Sequence, residues 1–324
     1  SNRHPHGPGR LTSREVSCAH RTEPRQMSDP STPAFGPEAT AERSAMEAST
    51  DEDAPRRDGA SDPAGPSNDV DPTAERERIR TFLDDAVAAA GSDGLIVNLS
   101  GGLDSTVTAA LAVEALGADR VYGLILPCNK IGAPHARDAE ALADALGIEH
   151  DTVHIQSLVG QLDAITPAQF APHDDPVRSG NATARLRMTL AYLVANATNR
   201  LVCGTTNRSE RLLGYVTKHG DGAADLLPIG HLYKTEVRAL ANELDVPAFV
   251  VEKPPTAGFL HGQRDADDLG APYEVIDAVL RLGVDRGLAP ETVAERLSAD
   301  ADAETVTALL ARHRATAHKR TPPP

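Results

Sequence analysis

The stretch that decides the fold is Leu95-Ile96-Val97-Asn98-Leu99-Ser100-Gly101-Gly102-Leu103-Asp104-Ser105. Its first half, 95–99, reads as a buried strand that stops at two adjacent glycines. Helix-patterned sequence follows to Leu116, so a strand feeds a tight turn that opens a helix. Such a turn suits an anion. Glycine lets the backbone take positive φ and approach a ligand closely. The N–H groups of the helix start, with their partial positive charge, face phosphate oxygens. No Gly-Lys-Ser/Thr follows the turn and no Gly-x-Gly-x-x-Gly occurs. The first absence excludes a Walker loop, and the second leaves a dinucleotide fingerprint unsupported.

Outward from the turn, apolar periodicity predicts a regular alternation. Thr73–Ala90 reads as an amphipathic helix through Ile79, Phe82, Leu83 and Val87. Val121–Leu126 reads as a strand ended by Pro127. Pro134–Leu146 is a helix with Gly147 just past its end. Asp151–Ile155 alternates as a third strand, and Ser157–Ile165 and Thr183–Thr198 are helical. Arg200–Cys203 is a fourth strand running into Gly204-Thr205-Thr206. Strands alternating with helices imply an α/β fold, a doubly wound parallel sheet with helices on both faces, Rossmann-like in plan. Ligands in such sheets sit beyond the carboxyl ends of the strands, so Ser100–Ser105 and Gly204–Glu210 are expected on one edge. Beyond residue 232 the chain is expected to be helical with loops, including Lys234–Leu244, Tyr273–Leu282 and Ala289–His313.

Composition separates this part from residues 1–72, which are rich in Pro, Gly, Ser and acidic residues. They carry too few apolar side chains to offset chain entropy, and the expectation is a disordered tail before a domain spanning 73–324. The tail has no apolar h-region and contains Asp51-Glu52-Asp53, so it reads as neither secretory signal nor transit peptide; Met27 and Met46 are candidate starts. Net charge is −15, and lysine occurs only at 130, 218, 234, 253 and 319. An acidic, lysine-poor surface fits work in high salt and argues against nucleic acid as a partner. Cys18, Cys128 and Cys203 show no disulfide or zinc spacing, and no run approaches the ~18 apolar residues of a membrane span. The reading is a cytoplasmic protein with no membrane partner.

Scarce lysine makes the segments that keep it informative. Thr217-Lys218-His219-Gly220-Asp221-Gly222-Ala223-Ala224-Asp225, Leu232-Tyr233-Lys234-Thr235, Lys253-Pro254-Pro255-Thr256-Ala257 and His318-Lys319 hold four of the five. Glu210 follows the fourth strand, where its carboxylate would point across the edge toward Asp104. Two carboxylates beside a triphosphate suit Mg²⁺, which takes few protein oxygens and completes its shell with phosphate oxygens.

Ser100-Gly101-Gly102-Leu103-Asp104-Ser105 resembles the pyrophosphate loop of N-type ATP pyrophosphatases, of the adenine nucleotide alpha hydrolase type, which cleave ATP between its α and β phosphates. With the lysine-bearing segments, Gly180-Asn181 through Arg185, and Gly204 to Glu210, residues 75–320 resemble the NAD synthetase family in its ammonia-using form. The resemblance implies ATP-driven amidation of deamido-NAD by ammonia through a carboxyl adenylate, the last step to NAD. Carried over by position, Asn98, Leu99 and Ser100–Ser105 (Ser100, Gly101, Gly102, Leu103, Asp104, Ser105) would bind ATP together with Thr205, Lys234 and Thr256. Asp104 and Glu210 would hold Mg²⁺. Arg185, Lys218, Asp225, His318 and Lys319 would bind deamido-NAD, and Asp104 and Lys234 would be catalytic. A homodimer is implied as well. Asn98 stands where many relatives have glycine, and Arg264 and Ala266 depart from a Gly-Gln-Thr-Asp-Glu stretch. The roughly 75 residues before the domain are too few for the amidase domain of glutamine-using relatives, so free ammonia is the expected nitrogen donor unless a separate glutaminase subunit supplies it.

Overall fold

Strand β1 (Gly94–Asn98) pairs in parallel on both sides, with β2 (Val121–Ile125) and with β4 (Arg200–Cys203). Strand β3 (Glu149–Thr152) joins the far side of β2, giving the order β3-β2-β1-β4. The direction of winding reverses between β1 and β4, which opens a crevice at the carboxyl ends of those two strands. The structure, a computed structural model, describes residues 70–128, 132–256, 258 and 262–321. All of them fall in the unit from Pro63 to Pro324. The expected tail lies almost wholly outside the described residues, as do Lys130 and Ala257.

The helices in chain order are α1 (Pro72–Ala89), α2 (Leu103–Leu116), α3 (Ala133–Leu146), α4 (Gln156–Ile165), α5 (Pro176–Ala197) and α6 (Arg208–Leu213). After them come α7 (Lys234–Glu243), α8 (Ala248–Val251), α9 (Asp265–Leu269), α10 (Tyr273–Leu280), α11 (Pro290–Arg296) and α12 (Ala303–Ala315). Alternation along the strands assigns the two layers. Leu95, Val97, Val121, Ile125 and Cys203 pack with α1, α2, α3 and α7. Ile96, Leu124 and Val202 pack against Met188, Ala191 and Ala195 of α5. Both faces are therefore buried, as the apolar runs of the strands require. A second apolar cluster, around Ile276, Leu280, Val293, Val306 and Leu309, gathers α6, α10, α11 and α12 beside the sheet. Among the described residues no helix is long and apolar enough to cross a membrane.

Several boundaries differ from the sequence reading for identifiable reasons. The third strand pairs at Glu149–Thr152 rather than 151–155, because its register with β2 begins at Glu149 opposite Tyr122. Contact continues past the strand, since Val153 N–H still donates to the Ile125 carbonyl at 2.8 Å. Helix α5 starts seven residues before Thr183. The Asp175 carboxylate caps it by accepting from Val177 N and Arg178 N, and Pro176 sits in the first turn, where its missing N–H costs nothing. The expected helix 289–313 is two helices, because Asp302 caps a new start by accepting from Thr305 N at 2.7 Å. Phe82 leaves the buried Ile79–Leu83–Val87 line of α1 and stays 45 % exposed.

Candidate active site

The turn after β1 is shaped by one glycine and two serines. Gly101 has φ +71°, and a Cβ there would lie 2.4 Å from the His135 carbonyl oxygen, so only glycine fits. Ser105 Oγ accepts from Ser100 N at 3.2 Å and donates to the Gly102 carbonyl at 3.1 Å. Asn98, Leu99, Ser100, Gly102, Leu103 and Asp104 line a cleft of about 310 Å³, together with Thr205, Glu210, Lys234, Lys253 and Thr256. Gly101 and Ser105 form the turn from behind rather than lining it. Asn98 Oδ1 is buried in this wall without a hydrogen-bond partner, an unmet acceptor facing ligand space.

Three helix starts converge on the cleft. Asp104 stands in the first turn of α2. Asn207 caps α6: its Oδ1 accepts from Glu210 N at 3.0 Å, while Glu210 Oε2 accepts from Asn207 N at 3.3 Å. Asn207 Nδ2 also donates to Asp104 Oδ1 at 3.1 Å, which ties the ends of β1 and β4 together. Lys234 opens α7. Its ammonium donates to Asp104 Oδ2 and lies 3.7 Å from Glu210 Oε1, with only 5 % of the side chain exposed.

Asp277 of α10, 1 % exposed, underlies this arrangement. It accepts from Ser209 Oγ at 2.5 Å and from Thr235 N at 2.9 Å, and Ser209 Oγ in turn accepts from Lys234 N. Asp277 thus fixes the helices bearing Glu210 and Lys234 to each other. No motif marked it in the sequence; the only signal was a lone aspartate in an apolar helix. Asp265, also in the cleft wall, accepts from Tyr273 Oη at 2.9 Å and from Tyr215 Oη at 3.3 Å. Arg187, a further lining residue that the sequence reading missed, donates from Nε to the Leu126 carbonyl at 3.0 Å.

The charges are strained by burial. Burial first, and the neighbouring Asp104 second, push the Glu210 carboxyl from 4.5 up to about 8. Burial alone would lower the Lys234 ammonium, but Asp104 and Glu210 outweigh it and hold the proton above the usual lysine range. Burial also raises Asp265 and Asp277. Asp104 and Glu210 therefore share one cation, now the ammonium of Lys234. An oxygen-only pair of this kind fits Mg²⁺, a hard cation that completes its shell from phosphate and water.

A second cavity of about 420 Å³ adjoins the first, and Tyr215 and Asp221 line both. Lys319, Arg312, Asn181 and Thr217 line the second. Of the residues expected to bind the dinucleotide acid, Lys319 alone lines this cavity; Arg185, Lys218 and His318 are linked to one another outside its lining. Arg185 Nε donates to the Lys218 carbonyl at 3.2 Å, and Lys218 Nζ to the His318 carbonyl at 2.9 Å. Lys319 Nζ donates to the carbonyls of Gly214 and Val216, each at 2.7 Å. Asp225 lines neither cavity. Its Oδ2 accepts from Val202 N at 2.7 Å and its Oδ1 from Tyr192 Oη at 3.3 Å, so it braces the end of β4.

A parallel sheet with a glycine turn, an acidic pair and a buried lysine at its switch point defines a nucleotide-binding α/β protein suited to a polyphosphate. The sequence model of the NAD synthase family matches residues 75–323, and the chain belongs to that family. The NH(3)-dependent NAD(+) synthetase of Halobacterium salinarum is 45 % identical over 249 residues, covering 77 % of this chain and 91 % of the relative. Its counterpart from Methanosarcina mazei is 43 % identical over 251 residues, 77 % of this chain and 96 % of its own. Among solved structures, an NMN synthetase from Francisella tularensis superimposes with a TM-score of 0.66 at 34 % identity, covering 79 % of this chain and 98 % of its own. An NH3-dependent NAD synthetase from Campylobacter jejuni, in complex with the nitrate ion, gives 0.63 at 30 % identity with the same coverage.

Proposed function

We propose that the chain uses ATP and Mg²⁺ to amidate deamido-NAD (nicotinic acid adenine dinucleotide) with ammonia, yielding NAD, AMP and pyrophosphate. The observation that carries this reading is the buried triad of Asp104, Lys234 and Glu210 beside the phosphate turn. A carboxylate is a poor acyl donor, and adenylation supplies the leaving group. A nicotinate carboxylate oxygen attacks the α phosphorus and pyrophosphate leaves; ammonia then attacks the acyl carbon, and AMP departs with that oxygen. The chain's task is to place the reactants and offset phosphate charge.

In this reading the N–H groups of the 100–105 turn and the start of α2 receive the phosphates, flanked by Asn98, Leu99, Thr205 and Thr256. Lys234 leaves Asp104 to neutralise the departing pyrophosphate, a role suited to a buried ammonium. Asp104 and Glu210 would hold Mg²⁺, which when bound draws charge from the phosphate oxygens. The second cavity, lined by Lys319, takes the dinucleotide acid, with Arg185, Lys218, Asp225 and His318 as its further contacts. Residues 73–324 suffice for the reaction.

We place the protein in the cytoplasm, a setting that suits the unpaired thiols of Cys128 and Cys203. A homodimer is supported by exposed apolar side chains on α4, α5 and their connection: Leu158, Ile165, Phe170, Val177 and Leu193. Light scattering on a sizing column tests that assembly. The function is tested by incubation with ATP, Mg²⁺ and ammonium, offering deamido-NAD and nicotinic acid mononucleotide in parallel. Equimolar NAD, AMP and pyrophosphate from the dinucleotide is the expected result. Faster turnover of the mononucleotide would replace the dinucleotide as substrate.

A further inference from the structure

Lys253 lines the cleft at the phosphate turn but has no role in the proposed reaction. Its ammonium donates to the Gly101 carbonyl at 3.1 Å and to Asp138 Oδ2 at 2.7 Å. Pro254 and Pro255 follow directly and limit the backbone, so Lys253 and Thr256 are carried together on the cleft wall facing the turn. The partner is the puzzling member. Asp138, on α3, packs so close to the turn that a Cβ at Gly101 would lie 3.1 Å from the Asp138 Cβ. A bare carboxylate there would repel the triphosphate the turn is built to receive. Both side chains keep some solvent access, 22 % for Lys253 and 36 % for Asp138, so the pair is free to open toward the cleft.

Building on the function proposed above, we propose that Lys253 is a second phosphate-binding lysine, steadied by Asp138 and offering its remaining donor to the β and γ phosphates when nucleotide arrives. An ammonium has three donors, so it keeps the Gly101 carbonyl and Asp138, adds a phosphate oxygen, and never leaves the carboxylate bare. Lys234 and Lys253 would then both contact the polyphosphate, the first from a buried position and the second from one nearer solvent. Two ammonium groups suit a tetraanionic nucleotide whose own magnesium offsets only half its charge.

A lysine that only masks Asp138 would give the same single-variant result, so the double variant decides. Binding of α,β-methylene-ATP with Mg²⁺, and of AMP, is measured by calorimetry for the wild type, D138N, K253M and D138N/K253M. In the D138N background, loss of Lys253 is expected to weaken the methylene analogue about 10- to 100-fold, the scale of one charge-assisted hydrogen bond. AMP, lacking the β and γ phosphates, is expected to change by less than about threefold, which also reports that the fold is intact. Equal affinity of D138N and D138N/K253M for the methylene analogue overturns the inference, as does a parallel loss for AMP. Turnover of deamido-NAD by the wild type is followed alongside. If that proceeds while the double variant shows no loss, the inference alone fails; if the wild type binds no nucleotide, both fail.

Discussion

Glu210→Gln should make the metal-free protein more stable and much less active. Gln preserves the reciprocal cap with Asn207, because a glutamine oxygen can still accept from Asn207 N. What it removes is a carboxylate pushed from 4.5 to about 8 by burial and by Asp104. The folded protein holds this proton to higher pH than the unfolded chain does. The associated stability is therefore fully present below pH 4.5 and is lost as pH rises through about 8. At about 1.36 kcal/mol per pH unit, the loss has a ceiling of roughly 4–5 kcal/mol. Substitution also takes from Lys234 its partner at 3.7 Å, which returns part of that, so the net gain at pH 8.5 is about 1–2 kcal/mol. Urea unfolding in chelator at pH 5, 6, 7, 8 and 8.5 measures it. The two proteins should match near pH 5 and separate as pH rises, with the variant more stable. A flat difference curve, or a variant less stable at 8.5 than at 5, would refute the electrostatic reasoning. Turnover should fall roughly 100-fold or more, since a proposed metal carboxylate is gone.

Asp104→Ala should abolish pyrophosphate release while circular dichroism stays native; normal release would remove Asp104 from the metal site. Lys319→Met should raise KM for deamido-NAD about tenfold and leave KM for ATP unchanged, on the scale of one lost charged hydrogen bond; equal changes in both would undo the two-cavity assignment. Asp277→Leu leaves the Ser209 hydroxyl and Thr235 N–H buried without their acceptor, a cost of about 2–4 kcal/mol. Its kcat should fall more than its KM values rise, because the loss displaces Glu210 and Lys234 together. Removal of residues 1–69 should leave turnover within about twofold of the intact chain, as expected of a segment too polar to add a core; a large loss would show that the first 69 residues contribute to the site.

The sheet was legible because each strand of its centre is a short apolar run closed by Gly or Pro, a signal that depends only on neighbouring residues. Ser100–Ser105 and Glu210 were legible for the same reason, and Glu210 was found at the Asp104 cation as the crossing of two adjacent strands demands. The shift at β3 was not, because register depends on the partner strand; in Asp151–Ile155 the alternation alone could not say where pairing with Tyr122 begins. Asp277 was also hidden, and so were the partners of Asp265, although its segment was marked. Each acts through groups distant in sequence, Ser209 and Thr235 for one and Tyr273 and Tyr215 for the other. Asp225 shows the converse limit: its motif suggested a ligand contact and gave no sign that its carboxylate also accepts from Val202 N and Tyr192 Oη. Residue type and spacing locate chemistry, but hydrogen-bond partners show how each acid is held.

The central claim is that a nicotinate carboxylate is adenylated at the Asp104–Lys234–Glu210 cleft before ammonia enters. Deamido-NAD labelled with ¹⁸O at both oxygens of that carboxylate, turned over with ATP, Mg²⁺ and ammonium, tests it most directly by mass spectrometry of the products. The account predicts one ¹⁸O in the phosphate of each AMP and none in pyrophosphate. Unlabelled AMP, with ¹⁸O appearing instead in inorganic phosphate, would contradict it.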